Sequence, residues 1–319
     1  MADGEVLPYD RLLLAMGGRA RTLAGPQSDR VLTLRTIDDA VALGEHLRSR
    51  DSLLVVGAGF IGAEVAAVAR GLGCAVTMLE GDERPLGRLL PPAVSDCYAG
   101  VHREQGVDLH TNVSVLGIAD EGTGVRALGA DGKSFEAEVA VVGIGMIPNV
   151  ELAERSGLQV SDGMDVDEYC LTSAPDVFAA GDVANQPNHL IGRRIRVEHW
   201  QNAQHQAATA ARNMLGDREV FAEVPWVWSE QYGMSLQITG DPSSTDEVRF
   251  RGEHETRSFS AMLFRDSRLS AAVAVDRPED VRAVRRLIAG GHQVDSDVLC
   301  DPAVDLGELE KSLERRADG

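Results

Sequence analysis

Short runs of apolar residues recur along the chain, separated by glycine-rich or polar segments. Residues 52–56 (SLLVV) and 75–79 (AVTML) are mostly apolar, which is typical of strands buried on both faces of a parallel sheet. Residues 60–71, between them, have helical spacing, so the three segments predict one strand, helix, strand unit. A further helix over 38–49 precedes this unit.

The pattern of alternating strands and helices extends to residue 145, where the first α/β lobe is complete. Before the unit, 6–16 predicts an extended entry and a buried strand that ends at a glycine pair. After it, the pattern predicts a helix over 93–105, alternating strands around 112–118 and 124–128, a turn at Asp131 and Gly132, and a buried strand in 137–145.

The second half of the chain changes character at Pro225. Before that residue, a strand is predicted in 176–182 and a long helix over 201–214. After it, several alternating strands, one helix over 278–289 and a polar tail predict a separate α+β domain.

Length and composition place the chain among globular proteins. Its 319 residues are 44% hydrophobic, enough for two or three domains that each bury a core. The formal net charge of −19 would repel a nucleic-acid backbone or an anionic membrane surface. No apolar run approaches the ~20 residues of a membrane-spanning helix, and MADGEVLPYD lacks the pattern of a signal peptide. We therefore expect a cytoplasmic protein without a nucleic-acid or membrane partner.

The four cysteines are scattered, and none forms a CxxC or CxxxxC pair. A pair of that kind would be needed for a dithiol cycle or a zinc clasp. His189, His199 and His205 match no ligand spacing either, so we expect no metal site.

The strongest motif is the glycine-rich turn between the strand at 52–56 and the helix that follows. Gly57 permits a tight turn, Gly59 lets the backbone approach a pyrophosphate, and Gly62 lets the helix pack against the sheet. The helix N-terminus then faces the anion. Glu80 lies 18 residues after Gly62, where a carboxylate binds ribose hydroxyls and repels a 2′-phosphate. The motif predicts dinucleotide binding and favours NADH over NADPH, although FAD uses the same cradle.

A second candidate is Asp182, which follows Gly181 at the end of the strand in 176–182. A carboxylate at the carboxyl end of a strand can accept a hydrogen bond from the ribityl chain of a flavin. The alternative is a helix-capping aspartate.

Several blocks in this order resemble a known family, the FAD-dependent, NADH-using reductases that supply ferredoxin-like or rubredoxin-like carriers of oxygenase and cytochrome P450 systems. This family belongs to the pyridine nucleotide-disulfide oxidoreductase superfamily but lacks the redox cysteines. The resemblance covers essentially the whole chain. Beside the glycine motif, it rests on 9–21 (YDRLLLAMGGRAR), 141–149 (VVGIGMIPN), 172–184 (TSAPDVFAAGDVA), 198–215 (EHWQNAQHQAATAARNML), 225–233 (PWVWSEQYG) and 277–291 (RPEDVRAVRRLIAGG).

The resemblance implies an α/β fold with a Rossmann-type NAD-binding lobe inside a two-dinucleotide-binding-domain flavoprotein, plus a C-terminal α+β domain. It implies four segments: a remnant of the FAD-binding domain at 1–35, the NAD(H)-binding domain at 36–147, a second FAD-binding segment at 148–223 and the C-terminal domain at 224–319.

The resemblance also implies two cofactors, FAD and NADH. The residues implied for NADH are Gly57, Gly59, Phe60, Ile61, Gly62, Glu80, Arg88 and Gly143. Those implied around the flavin are Gly181, Asp182, Glu198, His199 and Trp200.

Two residues are implied for catalysis. Glu64 would approach the nicotinamide and the flavin, and its alternative is a solvated acid on the helix. Trp228 would lie near the isoalloxazine ring, and its alternative is an ordinary core residue, like Trp226.

One departure from the family concerns the N-terminus. Family members begin with their own strand and GxGxxG unit, upstream of the YDRLLLA strand, whereas this chain contains one GxGxxG in all. The expectation is therefore an N-terminally truncated chain. Three explanations remain open: a start placed too far downstream, a shortened protein whose partner supplies the missing lobe, or a chain that binds NADH and has lost flavin chemistry.

The implied function is electron transfer from NADH through FAD to a ferredoxin-like or rubredoxin-like carrier. The alternatives are an NADH-binding subunit without flavin chemistry of its own, and reduction of another acceptor such as nitrite or a quinone. Arg193, Arg194 and Arg196 form the densest basic cluster, which would meet an acidic carrier or be a solvated loop.

Overall fold

The structure is a computed structural model that describes residues 6–25, 28–49, 52–253 and 256–317. Residues 1–5, which contributed to the expectation of no signal peptide, lie outside the described residues. The helices are α1 (Ile37–Ser49), α2 (Phe60–Gly71), α3 (Pro92–Glu104), α4 (Glu151–Arg155), α5 (Trp200–Leu215), α6 (Pro278–Ala289), α7 (Ser296–Cys300) and α8 (Leu306–Ala317).

The strands are mostly short. They are β1 (Leu12–Leu14), β2 (Gly18–Ala20), β3 (Val31–Leu32), β4 (Ser52–Val56), β5 (Ala75–Leu79), β6 (Val107–His110), β7 (Val115–Asp120), β8 (Val125–Gly129), β9 (Ser134–Ala137), β10 (Val139–Val142), β11 (Met146–Pro148), β12 (Val160–Ser161), β13 (Gly163–Asp165), β14 (Val177–Ala179), β15 (Ala184–Asn188), β16 (Arg193–Ile195), β17 (Trp226–Gln231), β18 (Met234–Gly240), β19 (Glu247–Arg251), β20 (Phe259–Arg265) and β21 (Arg268–Val275).

Contacts divide the chain into two compact units. Unit 1 comprises Met1–Arg19 and Ile147–Pro225, and unit 2 comprises Ala20–Met146 and Trp226–Gly319. The segment boundaries expected at 35, 147 and 223 stay a prediction.

Unit 2 is built around a parallel five-stranded sheet with the order β3-β10-β4-β5-β6. β4 and β10 lie in its centre and are buried on both faces, which explains why their sequences are continuous apolar runs. Helix α2 connects β4 to β5 and packs through buried alanines such as Ala63, Ala66 and Ala69. These small side chains let the helix lie close to the sheet, and the predicted bounds of β4, α2 and β5 are confirmed.

A three-stranded antiparallel meander, β7-β8-β9, follows this sheet in unit 2. The predicted turn lies between β8 and β9, and Gly132 there has a φ of +83°. Glycine tolerates this left-handed conformation without a steric penalty.

The C-terminal part of unit 2 is an antiparallel sheet with the order β17-β18-β21-β20-β19. One face packs against α3 and the loop before it, in a cluster that includes Tyr98, Leu236 and Phe259. The other face is covered by α6, α7 and α8 through residues such as Met262 and Leu287. The α+β character predicted for this part of the chain is therefore confirmed.

The segment predicted as a polar tail contains two helices that the sequence did not predict, α7 and α8. Leu306 is buried, and Leu309 and Leu313 pack beside it against the same core. The misleading residue is Glu310, which is 2% exposed and pairs with Arg286 at 2.8 Å.

Unit 1 contains the parallel pair β1-β14 and the sheet β12-β13-β15-β16. Helix α5 packs near β14, and Phe178, Ala180 and Ala210 share one buried cluster. The helix ends at Gly216, which has a φ of +111° and caps it in the left-handed conformation. This arrangement places the end of β14 beside the start of α5. Among the described residues of the chain, no helix is both long and apolar enough to cross a bilayer.

Candidate active site

The turn after β4 is determined by two glycines that have no room for a side chain. A Cβ on Gly57 would lie 2.5 Å from the carbonyl oxygen of Gly143, and Gly57 has a φ of +95°. A Cβ on Gly62 would lie 1.9 Å from the carbonyl oxygen of Gly57. The close approach of α2, β4 and the end of β10 therefore requires glycine at both positions.

Gly59 differs from these two glycines because the space beside it is empty. A Cβ there would meet no atom within 4 Å, and the backbone φ of −75° is open to any residue. Gly59 is the N-cap of α2, it offers no side-chain cap, and the first turn of the helix contains no acidic residue. This open space in front of a helix N-terminus suits a pyrophosphate, which such N–H groups and the helix dipole attract.

Glu80 follows β5 and is bonded to the glycine turn. Its Oε2 accepts the backbone N–H of Ala58 at 2.6 Å, and its Oε1 accepts that of Asp82 at 2.9 Å. The carboxylate is half-buried beside the cradle, with lone pairs left for ribose hydroxyls. Arg88, on the same loop, is 82% exposed and pairs with Asp82 at 3.1 Å.

The remaining residues predicted for NADH lie around this turn. Gly143 follows β10, and its N–H donates to Val56 O at 2.8 Å. Phe60 packs against the C-terminal sheet cluster, whereas Ile61 is 41% exposed. The structure thus brings the predicted NADH residues together at one edge of the parallel sheet, with Arg88 at the periphery.

Glu64 lies one helical turn beyond Phe60 and is half-buried. Its Oε1 accepts the hydroxyl of Ser229, in β17, at 2.6 Å. Burial raises the pKa of Glu64, while hydrogen bonds from Ser229 and the Glu230 N–H oppose that shift. The side chain is therefore a bonded carboxyl between two elements of unit 2 and not the solvated acid of the alternative interpretation.

Trp228 lies next to Ser229 in β17 and stacks on Trp226, with ring centroids 4.7 Å apart and an interplanar angle of 34°. Both rings are partly exposed, and the role of Trp228 beside a flavin stays a prediction. The Nε1 of Trp226 donates to Gln237 Oε1 at 3.2 Å, which holds the Trp226 ring in place.

The residues predicted around the flavin cluster in unit 1 at the end of β14 and the start of α5. Gly181 has a φ of +82° and donates its N–H to Gln206 Oε1 at 2.8 Å. The next residue, Asp182, is half-buried, and Arg196 donates to its carbonyl oxygen at 3.2 Å. Arg196 also pairs with Glu198 at 2.7 Å.

The start of α5 carries two aromatic rings. His199 is the N-cap, and its Nδ1 accepts the N–H of Gln201 at 3.4 Å. Burial lowers the pKa of His199, while the nearby Asp182 carboxylate opposes that shift. Trp200 is 58% exposed, which is unusual for so large an apolar side chain outside a binding surface.

The basic cluster is not a patch of three outward charges. Arg194 donates to the carbonyl oxygens of Val166 and Asn185. The side chain of Arg196 is only 10% exposed and pairs with Asp162 as well as Glu198. Arg193 and Arg194 are exposed, so a role of this cluster in meeting an acidic carrier stays a prediction, whereas the Arg196 side chain is mostly buried.

Comparisons with known proteins agree with this geometry. Residues 1–207 match the family described as pyridine nucleotide-disulphide oxidoreductase, and residues 226–310 match the reductase C-terminal domain. The chain belongs to the pyridine nucleotide-disulphide oxidoreductase family.

Relatives with more specific names are also similar. The ferredoxin–NAD(+) reductase component of the anthranilate 1,2-dioxygenase system from Burkholderia cepacia is 42% identical over 307 residues, which is 95% of this chain and 76% of that protein. The crystal structure of the ferredoxin reductase for the CYP199A2 system from Rhodopseudomonas palustris matches with a TM-score of 0.92 at 35% identity, covering 97% of this chain and 77% of the other. The covalent putidaredoxin reductase–putidaredoxin complex matches with a TM-score of 0.92 at 35% identity, covering 98% and 77%.

These matches confirm the expected fold, a pyridine nucleotide-disulphide oxidoreductase with two dinucleotide-binding domains and a C-terminal α+β domain. The four cysteines of the sequence, Cys74, Cys97, Cys170 and Cys300, are free thiols. Burial raises the pKa of Cys170 to about 12 and also raises the pKa of Cys97 and Cys300, which makes these thiols poor nucleophiles.

Several polar residues around Glu64 were not predicted from the sequence. Gln231 and His102 are buried and hydrogen-bonded in line with Ser229, and Tyr232 continues the line. The block 225–233 contained one indication of these residues, since Ser229 and Gln231 are two positions apart and lie on the same face of a strand. Nothing in the sequence connects them to His102 in α3.

Proposed function

We propose that this chain is an NADH-dependent flavoprotein reductase that passes electrons through FAD to a ferredoxin-like or rubredoxin-like carrier. The observation that carries the proposal is the open space at Gly59, in front of the N-terminus of α2 and beside the Glu80 carboxylate.

The glycine turn supports binding of the nucleotide pyrophosphate. Gly57 and Gly62 let the backbone pack tightly, and Gly59 leaves the helix N-terminus accessible. Peptide N–H groups and the helix dipole favour an anion there without any basic side chain. We assign Phe60, Ile61, Gly143 and Arg88 to the walls of this site.

Glu80 supports selectivity for NADH. Because two backbone N–H groups hold the carboxylate in place, it is oriented before the ribose arrives. A fixed anion accepts hydrogen bonds from the ribose hydroxyls and repels the 2′-phosphate of NADPH.

The residues at the end of β14 fit a flavin. Asp182 offers a carboxylate acceptor for polyol hydroxyls, and the first turn of α5 contains no acidic residue. A helix N-terminus stabilises negative charge on a reduced flavin ring. We propose that Gly181, Glu198, His199 and Trp200 complete this site, with 1–35 and 148–223 forming the FAD-binding domain, 36–147 the NAD(H)-binding domain and 224–319 the C-terminal domain.

When bound, FAD would supply the hydride-accepting and one-electron chemistry that no amino-acid side chain provides. The protein's own contribution is to hold the two cofactors and exclude water. In this proposal Glu64 would orient the nicotinamide. Trp228, which stacks on Trp226, would lie near the isoalloxazine ring.

The carrier is proposed from the names of the relatives, which are a ferredoxin–NAD(+) reductase component and a reductase in complex with putidaredoxin. We also propose a cytoplasmic location. NADH is the proposed electron donor, and the four thiols are free, as is usual in a reducing compartment.

The test combines nucleotide binding with acceptor assays on the purified chain. We expect calorimetry to give a tighter dissociation constant for NADH than for NADPH. We expect NADH oxidation with ferricyanide to depend on added FAD, and a ferredoxin to be reduced in the same assay. No heat of binding with NADH would overturn the proposal. Binding of NADH without FAD-dependent oxidation would favour an NADH-binding subunit, and oxidation without carrier reduction would favour a different acceptor.

A further inference from the structure

A line of hydrogen bonds joins Glu64 to Tyr232 through three buried side chains of unit 2. Ser229 is 2.6 Å from Glu64, Gln231 is 3.0 Å from Ser229, and His102 is 3.0 Å from Gln231. The last bond runs from His102 Nδ1 to the Tyr232 hydroxyl at 2.9 Å. The line connects α2, β17 and α3, which are distant in sequence.

The donors in this line all point toward Glu64. The Nε2 of Gln231 donates to the Ser229 oxygen, so the Ser229 proton is directed to Glu64. The Oε1 of Gln231 only accepts, so His102 must carry its proton on Nε2.

The orientation at the far end follows from the charge of His102. Burial lowers the pKa of His102 to about 4, which leaves the ring neutral at pH 7. Its Nδ1 is therefore an acceptor, and it takes the proton of the Tyr232 hydroxyl. Burial raises the pKa of Tyr232 to about 12, so that hydroxyl keeps its proton.

An aligned line of donors that ends on a carboxyl group favours its ionised form, because an anionic oxygen is a stronger acceptor than the oxygen of a neutral acid. For Glu64 to donate a proton of its own to Ser229, Gln231 would have to turn its amide oxygen to Ser229 and its NH₂ to His102. Aligned hydrogen bonds also polarise one another, which strengthens the last bond to the anion. The line therefore counteracts the burial that favours the neutral acid.

Few other charges act on Glu64. The Glu230 carboxylate, on β17, disfavours the anion, while the Glu230 N–H favours it. The neutral His102 and Tyr232 contribute through the hydrogen bonds and not through charge.

We propose that Ser229, Gln231 and His102 are positioning residues that hold Glu64 as an anion toward the nicotinamide end of the nucleotide site. The inference rests on the proposed function, in which Glu64 faces the nicotinamide. The ring of NADH is neutral, whereas the ring of NAD⁺ carries a positive charge. A fixed carboxylate beside the nicotinamide ring therefore favours binding of NAD⁺ over NADH. The same carboxylate would stabilise the positive charge that develops on the ring as the hydride leaves.

The experiment compares the dissociation constants of NAD⁺ and NADH by calorimetry on the full chain at pH 7.5. For Ser229→Ala we expect NAD⁺ to bind about tenfold more weakly, because a hydrogen bond to a charged group is lost. NADH should change by less than about twofold, since its neutral ring gains little from the anion.

The chain offers a matched control in Ser260. Ser260 is also fully buried in the C-terminal sheet, and its hydroxyl donates to the Asp280 carboxylate at 2.8 Å. Ser260→Ala should lower the melting temperature and leave the ratio of the two dissociation constants unchanged. A change in ratio that is the same in both variants would mean that the effect is one of stability.

A double substitution tests whether the line acts through Glu64. Glu64→Gln should lose the preference for NAD⁺, and Ser229→Ala should add nothing in that background. Gln231→Leu and His102→Gln extend the test along the line. If either of these variants fails to fold, Ser229→Ala, which removes a single oxygen atom, still tests the proposal.

The outcomes separate the two proposals. If folded Ser229→Ala keeps the wild-type ratio, or if Ser229→Ala changes the ratio in the Glu64→Gln background, the positioning role is overturned while NADH binding stands. If the wild-type chain binds neither nucleotide, the proposed function fails and this inference fails with it.

Discussion

At the scale of single residues, the glycine turn separates the requirements of folding from those of binding. Gly62→Ala would place a Cβ 1.9 Å from a backbone oxygen, and overpacking of this kind costs about 1–3 kcal/mol. Gly59→Ala would place its Cβ in open space and should leave the melting temperature unchanged.

We therefore expect Gly59→Ala to weaken NADH binding by about tenfold or more, since the methyl group would occupy the space of the pyrophosphate. Thermal melting and calorimetric titration of both variants check this. Unchanged NADH affinity in Gly59→Ala would mean that the pyrophosphate lies elsewhere.

Glu80 should determine nucleotide choice. Glu80→Ala removes the acceptor for the N–H groups of Ala58 and Asp82 and for the ribose hydroxyls. We expect NADH to bind roughly tenfold more weakly and the discrimination against NADPH to disappear. The control is Glu83→Ala, an exposed acid of the same loop that pairs with Arg84, which should change neither dissociation constant.

At the scale of secondary structure, the sequence predicts an element correctly where its apolar residues form a continuous or periodic pattern within that element. β4 and β5 have the predicted bounds because their apolar runs lie inside a parallel sheet, and α2 has them because its buried face packs against that sheet. Helix α8 escaped prediction because its buried Glu310 pairs with Arg286 on α6, a contact between helices that periodicity does not reveal.

The residues around Glu64 escaped prediction for a related reason. Ser229 and Glu64 are 165 positions apart, and Gln231 and His102 are 129 positions apart. Polar residues in a strand or helix look solvated until the partner element is known. By contrast, the glycine turn and Glu80 form one local motif, so this part of the candidate site was predictable from the sequence.

The packing of α3 against β17 should make stability depend on pH. An unfolded histidine has a pKa near 6.5, whereas burial lowers the pKa of His102 to about 4. As the pH falls, His102 binds a proton in the unfolded chain before it does so in the folded chain. The contribution of neutral His102 to the free energy of unfolding is therefore complete above pH 6.5 and is lost between pH 6.5 and 4. The loss is roughly 3 kcal/mol by pH 4.

Urea unfolding of wild type and His102→Gln between pH 4 and 7.5 checks this prediction. The wild-type midpoint should fall more steeply than that of His102→Gln, which has no group to titrate at that position. His189→Gln, at an exposed position, should follow the wild type. Parallel pH profiles for all three proteins would contradict a buried neutral His102.

In unit 1, Arg196, which directly follows β16, should contribute to stability. Arg196→Met removes the pairs with Asp162 and Glu198 and the bond to Asp182 O, at a side chain that is 10% exposed. We expect a loss of about 1–3 kcal/mol, since two carboxylates lose their partner.

Arg193→Met is the comparison, because Arg193 is exposed and donates to the carbonyl oxygen of its neighbour Arg194. Its melting temperature should stay within about 2 °C of the wild type, as is usual for surface substitutions. Equal melting temperatures for the two variants would show that Arg196 does not hold β16. A docking test by charge reversal should therefore use Arg193 alone, because reversing Arg196 would disturb the fold.

At the scale of the whole molecule, the two sets of cofactor residues belong to different units. The residues proposed for NADH, with Glu64 and Trp228, lie in unit 2, and those proposed for FAD lie in unit 1. The chain enters unit 1 twice, at Met1–Arg19 and Ile147–Pro225, with most of the nucleotide-binding sheet between the two segments. Hydrophobic periodicity marks the strands but does not assign them to a unit.

The division predicts that each cofactor will protect a different part of the chain from hydrogen exchange. A ligand at 100 times its dissociation constant stabilises its site by about 2.7 kcal/mol, which slows exchange through local opening by about a hundredfold. With NADH we expect the slowing at 57–64 and at 80–88, and with FAD at 181–182 and 198–206. Exchange followed by mass spectrometry on the full chain measures both sets at once, and the β7-β8 meander at 115–129 is an internal reference that neither cofactor should change. Protection by NADH at 181–206 in the absence of FAD, with none at 57–64, would assign the nucleotide to the wrong unit and contradict the division of the sites.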